Sequence, residues 1–462
     1  MDYFRSYSLS ADVGVVAAWE SETARAMEIP SLARLIAERG AELYPEFAKR
    51  YAEVRALSRS ARRALQRRLA ASRDLAQIPA EWQRRLAYSI AGAALLLVLS
   101  DGPLQAGTIN VGPGCTLVDA INSANNGSNS GSCTGATASP NTIVIPARSK
   151  IVFTKSDNYL YSATALPVVY GNITITGNGA TISRSKKGSQ FRFFAVTTSG
   201  DLTLNNLTLS GGISGGYGGA VANYGKLEIN NCIISGNTAH AGAVATLPQA
   251  TTTIAGTTFT KNVAYDGGAL YNLGGEVSVQ HSTITGNGAT RRGGGVFNSY
   301  GEIQIQNSTL SKNTARYGGA IFNFKEGNVN IDPTIITGNK AAYGGGIENA
   351  YGYVYIASST ISKNSATGGG GGIDSVGLGA TLTIKNSSSV TGNKGGSYGG
   401  GVFNCGVFNL NNSTITTNSA KVSGGGVFNI SGTYGQHPCT AAFTNNGTVS
   451  GNKAKTDPDI VP

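Results

Sequence analysis

Asp266, Arg291 and Arg292 are the residues of this 462-residue chain whose types and spacing best suit chemistry. A carboxylate that helps to hold calcium, beside an arginine that removes a proton next to another carboxylate, would cleave an acidic polysaccharide by elimination. Asp266 and Arg292 stand at equivalent places in adjacent repeats, which allows contact, and a surface ion pair explains such a contact equally well. Hydrolysis would need two or three clustered carboxylates. Glu276, Glu302, Asp332, Glu348 and Asp374 are instead isolated along the sequence. His240, His281 and His437 are scattered and there is no CxxC pair, so no metal site is expected. Calcium enters only with the lyase chemistry.

A second set of residues suits binding. Tyr217, Tyr317, Tyr343 and Tyr398 precede a recurring Gly-Gly pair, with Tyr265 offset by one. Lys261, Lys312, Lys340, Lys363, Lys394 and Lys453 flank a recurring Asn. The lysine just before that Asn returns on alternate repeats, at Lys261, Lys312 and Lys363, which spaces like charges by about 10 Å in a stack of strands. Both columns border one short turn and would line a basic, aromatic strip able to hold an extended acidic glycan. The plain alternative is that exposed lysines keep a repetitive β protein from aggregating and tyrosines shield a corner.

The elements that must position these residues are repeats of about 25 residues. Asn237, Asn262, Asn287, Asn313, Asn339, Asn364, Asn393, Asn418 and Asn452 end phrases such as ISGN, FTKN and LSKN. A second phrase keeps phase with the first: GGAVAN, GGALYN, GGGVFN, GGAIFN and GGGIEN. Apolar pairs two residues apart, Leu227/Ile229, Val277/Val279, Ile303/Ile305, Val329/Ile331, Val354/Ile356 and Leu382/Ile384, mark the inward face of a strand. Ile234, Ile284, Leu310, Ile336, Ile361 and Ile415 supply a second inward position, and Val296-Phe297 or Ile321-Phe322 a third apolar segment. Three short strands per coil and roughly a dozen coils stacked about 4.8 Å apart describe an all-β, right-handed parallel β-helix. The Asn column is expected to be structural, because Asn tolerates the left-handed conformation at a bend and stacked amides hydrogen-bond along the axis. The Gly-Gly pairs give backbone freedom at a tight corner. They are neither phosphate loops nor aspartate-bearing calcium repeats.

Composition bounds the partners. Charged residues make up 13% of the chain and the formal net charge is +11, so acidic polymers or cell-envelope components are expected partners. No clustered basic motif points to nucleic acid. Residues 1–85 are Ala-, Arg- and Glu-rich with apolar residues at helical spacing, an α-helical segment that is either a mis-assigned start or a cytoplasmic head. The uncharged run Leu86 to Ser100 is short for a membrane span, and residues 86–106 read as a signal peptide or signal anchor. Membrane contact is expected only through residues 86–100, and export in either case. An N-terminal cap with the first strands is expected over 107–150, the β-helix over 151–455 and a tail over 456–462. CTLVDAINSANN carries Leu117, Ile121 and Ala124 on one helical face and suits a short capping helix. Cys115 and Cys133, and then Cys405 and Cys439, could form disulfides in an exported protein, leaving Cys232 odd; five unpaired thiols are the alternative.

The paired phrases GG[AG][ILV] and FxxN, the latter literal at Phe259–Asn262, resemble the repeats of polymorphic outer membrane proteins. CTLVDAINSANN resembles the CSLREA segment that opens many bacterial secreted or surface β-helix proteins. The resemblance covers about residues 107–455 and implies an exported, surface or extracellular, adhesin-like β-helix. Departures are expected too: the repeats are read as ending without the C-terminal barrel of an autotransporter and without a Gram-positive sorting signal. The expectation is a non-catalytic adhesion or glycan-binding module, with a pectate lyase-like enzyme acting on acidic polysaccharide as the alternative.

Overall fold

The computed structural model describes residues 106–434 and 437–461. The helical segment expected over 1–85 and the apolar run 86–100 lie outside the described residues. Among the described residues no helix is long and apolar enough to cross a membrane.

The described chain winds into a parallel β-solenoid of about 10 turns, each of about 26 residues. The coil from Thr251 shows the plan: Thr251–Ala255, Thr258–Thr260, Val263–Asp266 and Leu270–Leu273 are successive short strands on four faces. Each pairs in parallel with its equivalents one coil before and after, as in Thr251↔Lys226 and Thr251↔Glu276. Four strands appear where three were expected because a left-handed residue bends the long segment. That residue is Asn231 (φ 53), Gly256 (φ 59) or His281 (φ 49) in successive coils. Earlier in the chain Asn172–Arg184 and Asp201–Ser210 run through both faces, so the first and second faces form one 21-stranded sheet. The fourth face is an 11-stranded sheet. The excursion 154–168 and the antiparallel hairpin Ser431–Tyr434/His437–Thr440 interrupt the repeat without adding a turn.

Alternation of inward and outward side chains builds the core. All the inward pairs read from the sequence, and the second inward column from Ile234 to Ile415, are at most 4% exposed. Among the described residues one helix, α1 (Leu117–Asn126), lies over the strands Gly107–Asn110, Asn141–Val144 and Asn172–Arg184. Thr116 caps it by accepting a hydrogen bond from the Asp119 N–H at 3.1 Å, and Gly127 ends it in the left-handed conformation. Leu117, Ala120, Ile121 and Ala124 are its buried face. Cys115 is bonded to Cys133 beside this helix and Cys405 to Cys439 near the other end, while Cys232 is a buried free thiol.

Three polar ladders run along the solenoid inside this frame. In the first, each Asn Oδ1 accepts both the backbone N–H and the side-chain amide of the Asn one coil earlier: Asn237 to Asn262 at 3.0 and 3.1 Å, then onward through Asn287, Asn313, Asn339, Asn364, Asn393, Asn418 and Asn452. Asp459 closes the ladder by accepting from Asn452. These Asn residues do not themselves take the left-handed conformation. The residue before each one does, at Gly236, Lys261, Gly286, Lys312, Gly338, Lys363, Gly392, Thr417 and Gly451. A second Asn ladder stacks Asn272, Asn298, Asn323 and Asn349 on the fourth face. A third, of hydroxyls, runs Thr257, Ser282, Ser308, Thr334, Ser359, Ser388 and Ser413, each accepting a backbone N–H from the coil before. Cys232 stands at its head in place of Ser or Thr, donating to carbonyls, and burial pushes its thiol up to about 11.

Candidate functional site

The turns flanking the third face carry most of the residues singled out above. In the turn before it, Lys261, Lys312 and Lys363 sit at φ 56, 55 and 54, the position that glycine fills in alternate coils. Two residues on, the register runs Val263, Gly288, Thr314, Lys340, Ser365, Lys394, Ser419 and Lys453. The two positions together place one lysine on each of four consecutive coils, Lys312, Lys340, Lys363 and Lys394, about 4.8 Å apart along the axis. All four are exposed.

Charge is segregated by face. Between Gly236 and Gly426 the third face and its turns carry Lys261, Arg291, Arg292, Lys312, Arg316, Lys340, Lys363, Lys394 and Lys421, against one acidic residue, the buried Asp266. The outward side of the first face holds Asp201, Glu228, Glu276, Glu302 and Asp332. Among the described residues the ion pairs belong to Lys226, with Asp201 at 3.2 Å and Glu228 at 3.0 Å, both on that first face. Among the described residues none of the third-face cations forms an ion pair.

The tyrosines are placed differently from the lysines. Tyr217, Ala241, Asp266, Arg292, Tyr317 and Tyr343 form one register column at the far edge of the third face; Tyr398 lies further along that edge, in register with Ser423. Tyr217 and Tyr265 are 37% and 41% exposed, but Tyr317, Tyr343 and Tyr398 are half-buried. They lean onto aromatic rings of the fourth face. Tyr217 lies 5.8 Å from Tyr271, Tyr317 6.4 Å from Phe322 and Tyr398 4.6 Å from Phe428, while Tyr317 and Tyr343 stack at 5.8 Å. Val296 and Ile321 of the pairs Val296-Phe297 and Ile321-Phe322 enter the main core, while Phe297 and Phe322, at 3% and 4% exposure, belong to a second buried cluster. The Phe of each pair points outward into a stack with Tyr271 at centroid spacings of 4.8 and 5.8 Å. Part of the tyrosine column thus covers this outer aromatic cluster. Of these tyrosines Tyr217 and Tyr265 stay accessible, and Tyr265 stacks on His240 at 4.9 Å with the Arg291 guanidinium 5.7 Å from its ring.

Asp266 and Arg292 are register partners, but they form no ion pair. Arg292 lies over the rings of Phe322 and Phe324 at 5.3 and 5.0 Å. Asp266 is 8% exposed with Oδ1 unpartnered, and burial raises its pKa against the opposing pull of Arg292, Arg291 and His240.

Two acids read as isolated are neighbours. Glu348 and Asp374 are register partners on adjacent coils, at 6% and 2% exposure, in the column that Phe322 and Phe403 occupy on either side. The signal was in the repeat, since GGGIEN and GGGIDS put an acid where GGGVFN puts Phe. Burial first, then Asp374, raises Glu348 well above the carboxylate range, opposed by Arg292 and the Gly318 N–H; burial pushes Asp374 up to about 7. Among the described residues no three His, Cys, Asp or Glu side chains group to hold a metal.

Compared with protein-family models, with curated proteins and with solved structures, the chain matches none.

Proposed function

We propose that the protein is a non-catalytic binding module whose third face holds an extended acidic glycan or another anionic polymer of the cell envelope. The observation that carries this is the charge segregation: one exposed lysine per coil from Lys312 to Lys394, with Arg291 and Arg316 nearby and no exposed acid among them. A polymer lying along the axis would meet a cation about every 4.8 Å. Tyr265 and His240 add an exposed stacking surface at one end of the strip.

Export to the cell surface or medium, with residues 86–100 cleaved or kept as an anchor, belongs to the same proposal. Two disulfides among the described residues suit an oxidising compartment. The GG[AG][ILV]/FxxN phrases support kinship with exported right-handed β-helix proteins of the polymorphic outer membrane type. A lyase is the weaker reading. Its candidate acid, Asp266, is 8% exposed, whereas a calcium-holding carboxylate must meet the substrate.

The test uses residues the columns already tolerate. A Lys312→Gly/Lys340→Ser/Lys363→Gly/Lys394→Ser variant should keep its fold and lose at least about tenfold in affinity for polygalacturonate and heparin, a loss of about 1.4 kcal/mol. Unchanged affinity in that variant would sink the proposal. A sustained rise in the ultraviolet absorbance of unsaturated uronides would install the lyase instead.

A further inference from the structure

On the opposite side of the charge balance, the outward surface of the first face carries an open depression of about 410 Å³. Its cause is a missing side chain. Outward positions on the first face form columns, and one of them runs Gln280, Gln306, Asp332, Ala357, Lys385. Ala357 is the short member, so a hollow opens between Asp332 and Lys385, which lie two coils, or about 10 Å, apart. They are too far apart to pair, and both are exposed.

We propose that this depression is a second binding site, for a neutral, hydroxyl-rich saccharide unit, distinct from the basic third face. The lining is mixed rather than charged: Gln304, Gln306, Asn330 and Asp332, the Tyr355 ring, and Lys385. Planar amides and a carboxylate meet pairs of ring hydroxyls as donors and acceptors, and the Tyr355 ring, 37% exposed, offers a face for the apolar side of a sugar ring. Two of the amides are already oriented. The Glu302 Oε1 accepts from Gln304 Nε2 at 3.1 Å and from Asn330 Nδ2 at 3.5 Å, which directs their carbonyl oxygens elsewhere. Pre-orientation of this kind lowers the ordering cost of binding. Asp332 and Lys385 offset one another and the Glu302 carboxylate lies beside the amides, so the site has no reason to prefer an anion, unlike the third face. Its size falls in the range of small-ligand clefts, about 300–1,000 Å³.

The test is calorimetric titration of the full chain with cellohexaose, mannohexaose, maltohexaose and xylohexaose. Saturable binding to at least one is expected, weakened at least about tenfold by Tyr355→Ala and by Asp332→Ala. Ala357→Gln should fill the hollow and remove binding. Tyr355→Ala and Asp332→Ala change exposed side chains, and thermal unfolding checks that they stay folded. The lysine-depleted third-face variant should bind these sugars as the parent does, which separates this site from the anionic one. No saturable binding to any of the four, binding indifferent to Tyr355→Ala and Asp332→Ala, or binding lost in the lysine-depleted variant would each overturn the proposal.

Discussion

Glu348 and Asp374 interrupt an aromatic column with two carboxyls that share a dry site. Phe322 and Phe403 flank them, and Glu348 Oε2 and Asp374 Oδ1 have no hydrogen-bond partner. Two ionised carboxylates cannot sit there together without large cost, so the folded state retains protons that the unfolded chain releases above about pH 4. With folded pKa values raised above unfolded ones, this contribution is complete below about pH 4 and is lost as pH rises toward about 7 and beyond. The thermal midpoint should therefore fall between about pH 5 and pH 8, and Glu348→Gln/Asp374→Asn should flatten that slope. A slope of equal size in the double variant would assign the pH dependence to other groups.

At the scale of the element, the Asn ladder holds the turn between the second and third faces. Asn313 accepts from the Asn287 N–H and amide at 2.9 and 3.1 Å and donates to the Ile284 carbonyl at 2.9 Å. Asn313→Ala would leave several buried groups unpaired at about 1–3 kcal/mol each, so a loss of about 3 kcal/mol or more is expected in urea unfolding. Its neighbour behaves oppositely. Lys312 already occupies the left-handed position where other coils use Gly, and Lys312→Gly trades relief of that conformation against unfolded-state entropy, leaving stability within about 1 kcal/mol. A large loss from Lys312→Gly would show that the lysine itself supports the turn. The conserved geometry of the turn and the variable charge on it are therefore separable, which is why the lysine variants test binding rather than folding.

At the scale of the whole molecule, the solenoid turns a periodic sequence into lines of like residues. One line collects the cations and another the acids, although both alternate along the chain within each repeat. Because the third-face charges are exposed and unpaired, binding of polygalacturonate should weaken several-fold between about 0.05 and 0.3 M salt as the screening length shrinks below the strip's length. Sugar binding at the Ala357 hollow, made of hydrogen bonds and one ring, should barely respond to the same change. Equal salt sensitivity at both sites would mean that one surface serves both ligands.

Much of this was legible from spacing alone. Period-2 apolar pairs such as Ile303/Ile305, the in-phase Asn phrase and the Gly-Gly corner specify a stacked parallel solenoid, because no single coil can bury its own apolar face. The helical face of Leu117, Ile121 and Ala124 likewise announced α1, and the two lysine positions in the Asn turn located the basic strip. Tertiary structure decided what depends on neighbours one coil away. It turned Phe297 and Phe322 outward into a stack, folded Tyr317 and Tyr398 onto that cluster, set Glu348 beside Asp374, and opened a hollow at Ala357. Residues about 26 positions apart in sequence stand about 4.8 Å apart in space, so their contacts follow from register, which only the wound chain sets.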